Sequence, residues 1–209
     1  VNEINRKTGI DAFFLHKISN IVEQEERLKK LSIEKLDRWA LKKCKNMGLS
    51  DQAIARFVKV DIKDIRRKRD EYGIQPVYKI VDTCAAEFEA VSPYYYSSYG
   101  DEDEVNPGTK PKVVIIGSGP IRIGQGIEFD YCSVHCIWAL KKLGYQAVII
   151  NNNPETVSTD FNISDRLYFE PLVPEYVLSV LEKEKPDGVI VQFGGQSAIK
   201  LVKSIHEAG

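Results

Sequence analysis

Three short polar loops hold the residues best suited to chemistry in this sequence. The first is residues 117–126, Gly-Ser-Gly-Pro-Ile-Arg-Ile-Gly-Gln-Gly, followed closely by Glu128. The second is residues 151–160, Asn-Asn-Asn-Pro-Glu-Thr-Val-Ser-Thr-Asp, with Glu155 inside it, and the third is Gly194-Gly195-Gln196-Ser197. Backbone amides at glycines that open a helix can hold an anion, so Gly117, Gly119, Arg122, Gly124, Gly194, Gly195 and Gln196 are candidate anion-binding positions. The alternative for the glycines is a tight strand-to-helix turn with close packing. A dinucleotide site needs G-x-G-x-x-G and an acid at the end of the second strand. Here the third position is Arg122, Gly124 comes two residues late, and the second strand ends in Asn151. The dinucleotide pattern is thus poorly met, and the P-loop pattern fails because no Gly-Lys-Ser/Thr closes the glycine run. Glu128 also suits a first-turn carboxylate favoured by the helix dipole. Cys132 and Cys136, one helical turn apart around His135, make a weak zinc pattern; burial on a helix face is the expectation.

These loops need a frame, and the sequence supplies one. Residues 112–117 are a short, mostly β-branched apolar run, followed by a helical pattern from about 129 to 143 that Gly144 stops. Strands are expected at 146–150, 166–169 and 188–192, with helices at 174–185 and from the third loop to about 207. Strands alternating with helices imply a parallel sheet with right-handed crossovers. The loops that leave the strand carboxyl ends then line one edge, where ligands sit in such sheets.

The amino-terminal part is different. Residues 1–75 carry 18 Lys+Arg against 12 Asp+Glu, whereas residues 76–209 carry 11 against 18, although the net charge is only −1. Four helices are expected in residues 1–75. One runs from an Asp11 cap to about Leu31, with Phe13, Phe14, Ile18, Ile21, Val22 and Leu28 as its apolar stripe. Another covers 33–45, with Trp39 on its stripe and Gly48 as its stop. Two short ones are capped by Ser50 and Asp61. The last pair outlines a helix-turn-helix with Arg66-Arg67-Lys68-Arg69 on its second helix, but neighbouring Asp61, Asp64, Asp70 and Glu71 offset much of that charge, and no nucleic-acid partner is expected. Residues 76–111 read as an extended connector, punctuated by prolines yet too apolar and tyrosine-rich for a free linker. The fold class is therefore α plus α/β, with a helical bundle at 1–75, the connector at 76–111 and a small parallel-sheet α/β subdomain at 112–209. An apolar fraction of 43% with 28% charged residues is ordinary globular composition. The longest apolar runs fall far short of the roughly 20 residues of a membrane helix. Neither a signal sequence nor a stapling density of cysteines is evident, which suits a reducing, cytoplasmic setting. The opening valine and the single methionine suit an interior piece of a longer chain.

The 117–132 segment, the Asn-Pro-Glu-Thr-Val-Ser-Thr-Asp run of 153–160, Asp-Arg-Leu-Tyr-Phe-Glu-Pro at 165–171 and Gly-Gly-Gln at 194–196 resemble the carbamoyl phosphate synthetase large-subunit family. They look like the opening of its second, carbamate-phosphorylating half. Thr8-Gly-Ile-Asp11, Pro76-Val-Tyr-Lys79 and the run 81–88, Val-Asp-Thr-Cys-Ala-Ala-Glu-Phe, are similar to the family's helical oligomerisation domain and its exit segment. The resemblance covers essentially the whole chain and implies a ligase. In that family bicarbonate, ammonia from glutamine and two ATP give carbamoyl phosphate for arginine and pyrimidine biosynthesis. It further implies ATP with Mg or Mn bound by an ATP-grasp domain outside this segment, a glutaminase small subunit as partner, and homo-oligomers through the helical domain. It matches Gly126, Glu128 and Glu155 to positions that line a carbamate passage, and it implies no catalytic residue and no metal in this segment, which alone should be inactive. An independent nucleotide- or nucleic-acid-binding module is the alternative.

Overall fold

The computed structural model describes residues 1–120 and 127–209. Arg122, Gly124 and Gly126 therefore lie outside the described residues. The chain divides into two compact units, Val1–Gln75 and Pro76–Gly209.

The first unit is helical. Its elements are α1 (Asn2–Thr8), α2 (Ala12–Leu28), α3 (Arg38–Asn46), α4 (Asp51–Val58) and α5 (Ile62–Glu71). Side-chain oxygens of Asp11, Asp37, Ser50 and Asp61 accept backbone amides at the starts of α2, α3, α4 and α5, satisfying donors that a helix start leaves orphaned. Three expectations change here. A fifth helix, α1, precedes the four expected and is closed by Gly9 in the left-handed conformation. The helix expected over 33–45 splits into a 3-10 turn, Ile33–Lys35, and α3, because Asp37 caps a fresh start. The apolar stripe of α2 also points largely outward. Leu15 and Leu28 are buried, but Phe13 and Phe14 are each 60% exposed, and Ile18 and Val22 are exposed too. Trp39 is likewise exposed, with the Lys43 ammonium 5.1 Å from its ring centroid. The core is built instead from Leu28, Leu36, Leu41, Cys44, Ile54 and Ile65, all fully buried. The basic second helix of the helix-turn-helix outline turns partly inward. Arg69 is buried and donates to Asp51 at 3.1 Å, while Lys45 donates to the same carboxylate at 3.0 Å.

The second unit is a six-stranded sheet between helices. Its strands are β1 (Val77–Ile80), β2 (Tyr94–Ser98), β3 (Lys112–Ile116), β4 (Gln146–Asn151), β5 (Arg166–Phe169) and β6 (Gly188–Ile190), in spatial order β1-β2-β5-β4-β3-β6. All pairs are parallel except β1 with β2. The segment expected as a connector thus adds two strands: Tyr94 and Tyr95 align with Leu167 and Tyr168 of β5. The helices are α6 (Glu128–Lys142), α7 (Pro174–Glu184), α8 (Gly195–Ile199) and α9 (Val202–Ala208). β3 is buried at every position, as a central parallel strand covered on both faces should be. Its alternate side chains go to different cores. Val114 and Ile116 join Val177, Val180, Ala198 and Leu201 of the α7–α9 side. Ile115 joins Val134 and Ile137 of α6. No helix among the described residues is long and apolar enough to cross a membrane.

Candidate functional site at the carboxyl edge of the sheet

Because β2 to β6 all run parallel, the loops after β3, β4, β5 and β6 emerge at one edge. β3 is followed by α6 and β4 on one side, while β6 lies on its other side. The chain therefore changes winding direction between β3 and β6, which is where open α/β sheets bind ligands. Three glycines show how closely the loops meet there. A Cβ on Gly117 would lie 2.6 Å from the Asn151 carboxamide. One on Gly194 would lie 2.5 Å from the carbonyl oxygens of both Ile116 and Gly117. Gly119 has φ +70°, a left-handed conformation that L side chains adopt rarely. The space where its Cβ would stand is bordered by Asn152, Leu172 and Ser197, one residue from each of the segments that follow β4, β5 and β6.

A buried polar chain ties this junction together. The Gly119 amide donates to Asn151 Oδ1 at 3.0 Å, and the Asn153 amide to the same oxygen at 3.3 Å. Asn151 Nδ2 donates to Ser158 Oγ at 3.4 Å. Ser158 in turn gives its amide to Asp130 Oδ2 at 2.9 Å and its hydroxyl to Asp130 Oδ1. Asn151, Ser158 and Asp130 are all at most 1% exposed. Asp130 is the third residue of α6, where the dipole favours a carboxylate. Asn151 and Ser158 lie in the 151–160 loop, but their link to Asp130 was not legible in the sequence, since these bonds span segments that only the fold brings together.

The candidate residues fall into distinct places on this frame. Glu128, Glu155 and Gln196 are exposed, and Gly194 and Gly195 are buried. The amides of Gly117 and Gly119 are engaged, the first by the Ile150 carbonyl at 2.8 Å and the second by Asn151. Those two donors are therefore used inside the protein and are not free for an anion. Arg166, from the matched 165–171 segment, stands at the opposite end of the sheet: it opens β5 and pairs with Glu184 at 2.7 Å. On α6, Cys136 packs against the core while Cys132 is exposed, so only one of the two thiols sits on the buried face expected for both. Among the described residues no group of three His, Cys, Asp or Glu could hold a metal ion.

One carboxyl near this edge has an unusual pKa. Glu170, just past β5 and 2% exposed, accepts the Ser97 amide at 2.5 Å and the Ser97 hydroxyl at 2.9 Å. Burial pushes it up from 4.5 to about 7, outweighing the two hydrogen bonds that favour the charged form. Between those values the folded chain binds more protons than the unfolded one, so stability declines as pH rises from about 4.5 to 7 and then levels off. Glu170→Gln keeps both contacts to Ser97, accepting from the amide and donating to the hydroxyl. Its urea midpoint should lack that slope and exceed the parent's at about pH 8. A midpoint lower than the parent's at that pH would show that the carboxylate stabilises the fold.

Comparison with known proteins agrees with this architecture. Residues 1–73 match the family model described as the carbamoyl-phosphate synthetase large chain, oligomerisation domain. Residues 109–209 match the one described as the carbamoyl phosphate synthase preATP-grasp domain. The carbamoyl phosphate synthase large chain of Clostridium beijerinckii is 62% identical over 207 residues, covering 99% of this chain and 19% of that protein. The large chains of Clostridium botulinum and Clostridium perfringens match over the same span at 62% and 59% identity. The chain thus spans about a fifth of the length of these relatives. With a five-helix unit under one model and a parallel-sheet unit under the other, in that order, this chain belongs to the carbamoyl phosphate synthase large-chain family and carries its oligomerisation and preATP-grasp domains.

Proposed function

We propose that this segment works within the large chain of a glutamine-dependent carbamoyl phosphate synthetase, a ligase that makes carbamoyl phosphate from bicarbonate, ammonia and two ATP in the cytoplasm for arginine and pyrimidine biosynthesis. Its preATP-grasp unit belongs to the half that phosphorylates carbamate and forms part of the wall along which that intermediate arrives. The observation that carries this reading is the convergence around Gly119 of the segments that follow β3, β4, β5 and β6, with Glu155 exposed in the β4 segment and Glu128 exposed at the start of α6. Carboxylates can accept hydrogen bonds from the amino group of carbamate. Because carbamate is itself an anion, a cation or a proton must offset them, and Arg122 is the candidate within the glycine loop. By the family resemblance, ATP and its Mg or Mn belong to an ATP-grasp domain outside this segment, where phosphoryl transfer would have its metal and cation array. A glutaminase small subunit supplies the ammonia. The exposed Phe13, Phe14, Ile18 and Val22 stripe of α2 fits self-association, since contiguous apolar surface marks interaction sites.

The test uses the full-length large chain. Gly126→Phe should depress overall carbamoyl phosphate synthesis by about tenfold or more through misplacement at the passage, while ATP formation from ADP and carbamoyl phosphate persists. Equal loss of both activities would assign Gly126 to folding. Sedimentation of the same preparation should show an oligomer, and Phe14→Asp with Ile18→Asp should shift it toward monomer. Unchanged sedimentation would remove α2 from the contact.

A further inference from the structure

The sheet edge contains a device that its exposed carboxylates do not explain. Glu128 opens α6, and Glu155 sits in the loop after β4, two segments with no covalent reason to hold a fixed spacing. Between them runs the buried chain Gly119 N–H to Asn151, Asn151 to Ser158, and Ser158 to Asp130. Asp130 is two residues from Glu128, and Ser158 is three residues from Glu155. Both oxygens of Asp130 are taken by the one serine, so the loop is held at a single place by two bonds and cannot pivot about either. At its other end the chain reaches the glycine loop, so three segments that reach the edge share one hydrogen-bonded frame. Apolar side chains would fill the same space without directionality. A fully satisfied buried polar network is the arrangement that specifies one geometry.

We propose that Asp130, Ser158 and Asn151 are positioning residues for the intermediate's passage. They fix the Glu155 loop against the start of α6, so that an amino-bearing anion moving along the edge meets Glu128 and Glu155 at a set spacing. This rests on the function proposed above and adds to it the residues that hold its geometry.

The experiment uses the full-length large chain with its glutaminase, and compares Asp130→Asn, Ser158→Ala and their double variant. Three rates are read: overall carbamoyl phosphate synthesis, bicarbonate-dependent ATP hydrolysis, and ATP formation from ADP and carbamoyl phosphate. Each single variant should lower overall synthesis by about tenfold, as small displacements at a reacting path do, while both partial reactions stay within about twofold. ATP consumed per carbamoyl phosphate should rise accordingly. The double variant should lose no more than the worse single variant, because both changes break one link. Amide exchange at Gly119 should quicken in Ser158→Ala, with the β3 amides still protected. A parallel fall in all three rates, or additive losses in the double variant, would reduce these residues to structural support and overturn the proposal. If the unaltered enzyme made no carbamoyl phosphate, the function proposed above would fall, and this inference with it. If the unaltered enzyme is competent and the variants stay fully coupled, the inference alone falls.

Discussion

Glu184→Ala is expected to cost the α/β unit about 3–5 kcal/mol, the usual penalty for removing one member of a buried ion pair. The Glu184 side chain is fully buried at the end of α7. It accepts from Arg166 Nε at 2.7 Å, Arg166 Nη2 at 3.0 Å, Lys112 Nζ at 3.3 Å and the Tyr168 hydroxyl at 2.5 Å. Lys112 opens β3 and Arg166 opens β5, so one carboxylate ties a helix end to the amino ends of two strands. Without it both cations remain buried, with only neutral partners such as the Pro107 carbonyl, which accepts from each. Burial and the adjacent carboxylate push the Tyr168 phenol far above its ordinary value, so it stays a donor and offers no compensating charge. Urea unfolding measures the effect. The chain has two tryptophans, one in each unit, so Trp39→Phe leaves Trp138 to report on this one. A loss below about 1 kcal/mol would place the cluster in the class of weak, solvent-screened pairs. Replacing all three charges with Glu184→Leu, Arg166→Met and Lys112→Met should recover most of the loss, as apolar substitutes for buried ion pairs often do.

At the opposite end of the same sheet, Gly194→Ala should destabilise the unit by about 3 kcal/mol, the upper part of the range for overpacking. The new methyl would lie 2.5 Å from the Ala198 Cβ and from the carbonyl oxygens of Ile116 and Gly117. Two of those three obstacles are backbone. The end of β3 cannot retreat readily, because that strand is buried throughout and paired on both sides. Gly188→Ala on β6 is the control. It has open space around the Cβ position and should shift stability by no more than about 0.5 kcal/mol. Equal tolerance at both sites would mean that the β3–β6 loops are not packed against one another at Gly194.

Several local features of the chain were readable because a single stretch contained both halves of an interaction. Asp11, Ser50 and Asp61 cap the helices that follow them because the accepting oxygen and the donated amide lie two or three residues apart. Asp37 obeys the same rule, but the continuous apolar stripe around it reads as one helix, and that stripe masks the break. β3 and β4 are legible as apolar runs bounded by polar loops, and their parallel order follows from the helix between them. β1 and β2 were harder. Their alternation is short, β1 pairs only with β2, and the strand that accepts β2, β5, lies some 70 residues further on.

Sequence alone therefore determined the alternation of strand and helix, the parallel sense of the central sheet, and hence that the glycine, Asn-Pro-Glu-Thr and Gly-Gly-Gln loops leave by one edge. Those are consequences of short-range periodicity and of the handedness of crossovers. Tertiary structure decided which polar groups became partners. It sent Arg166 to the far end of the sheet to meet Glu184, spent the Gly119 amide on Asn151, joined Ser158 to Asp130, and turned the aromatic face of α2 outward. A hydrogen bond is directional over about 3 Å, so residues distant in the chain gain or lose one through small changes in how layers stack. No pattern along the sequence encodes such changes.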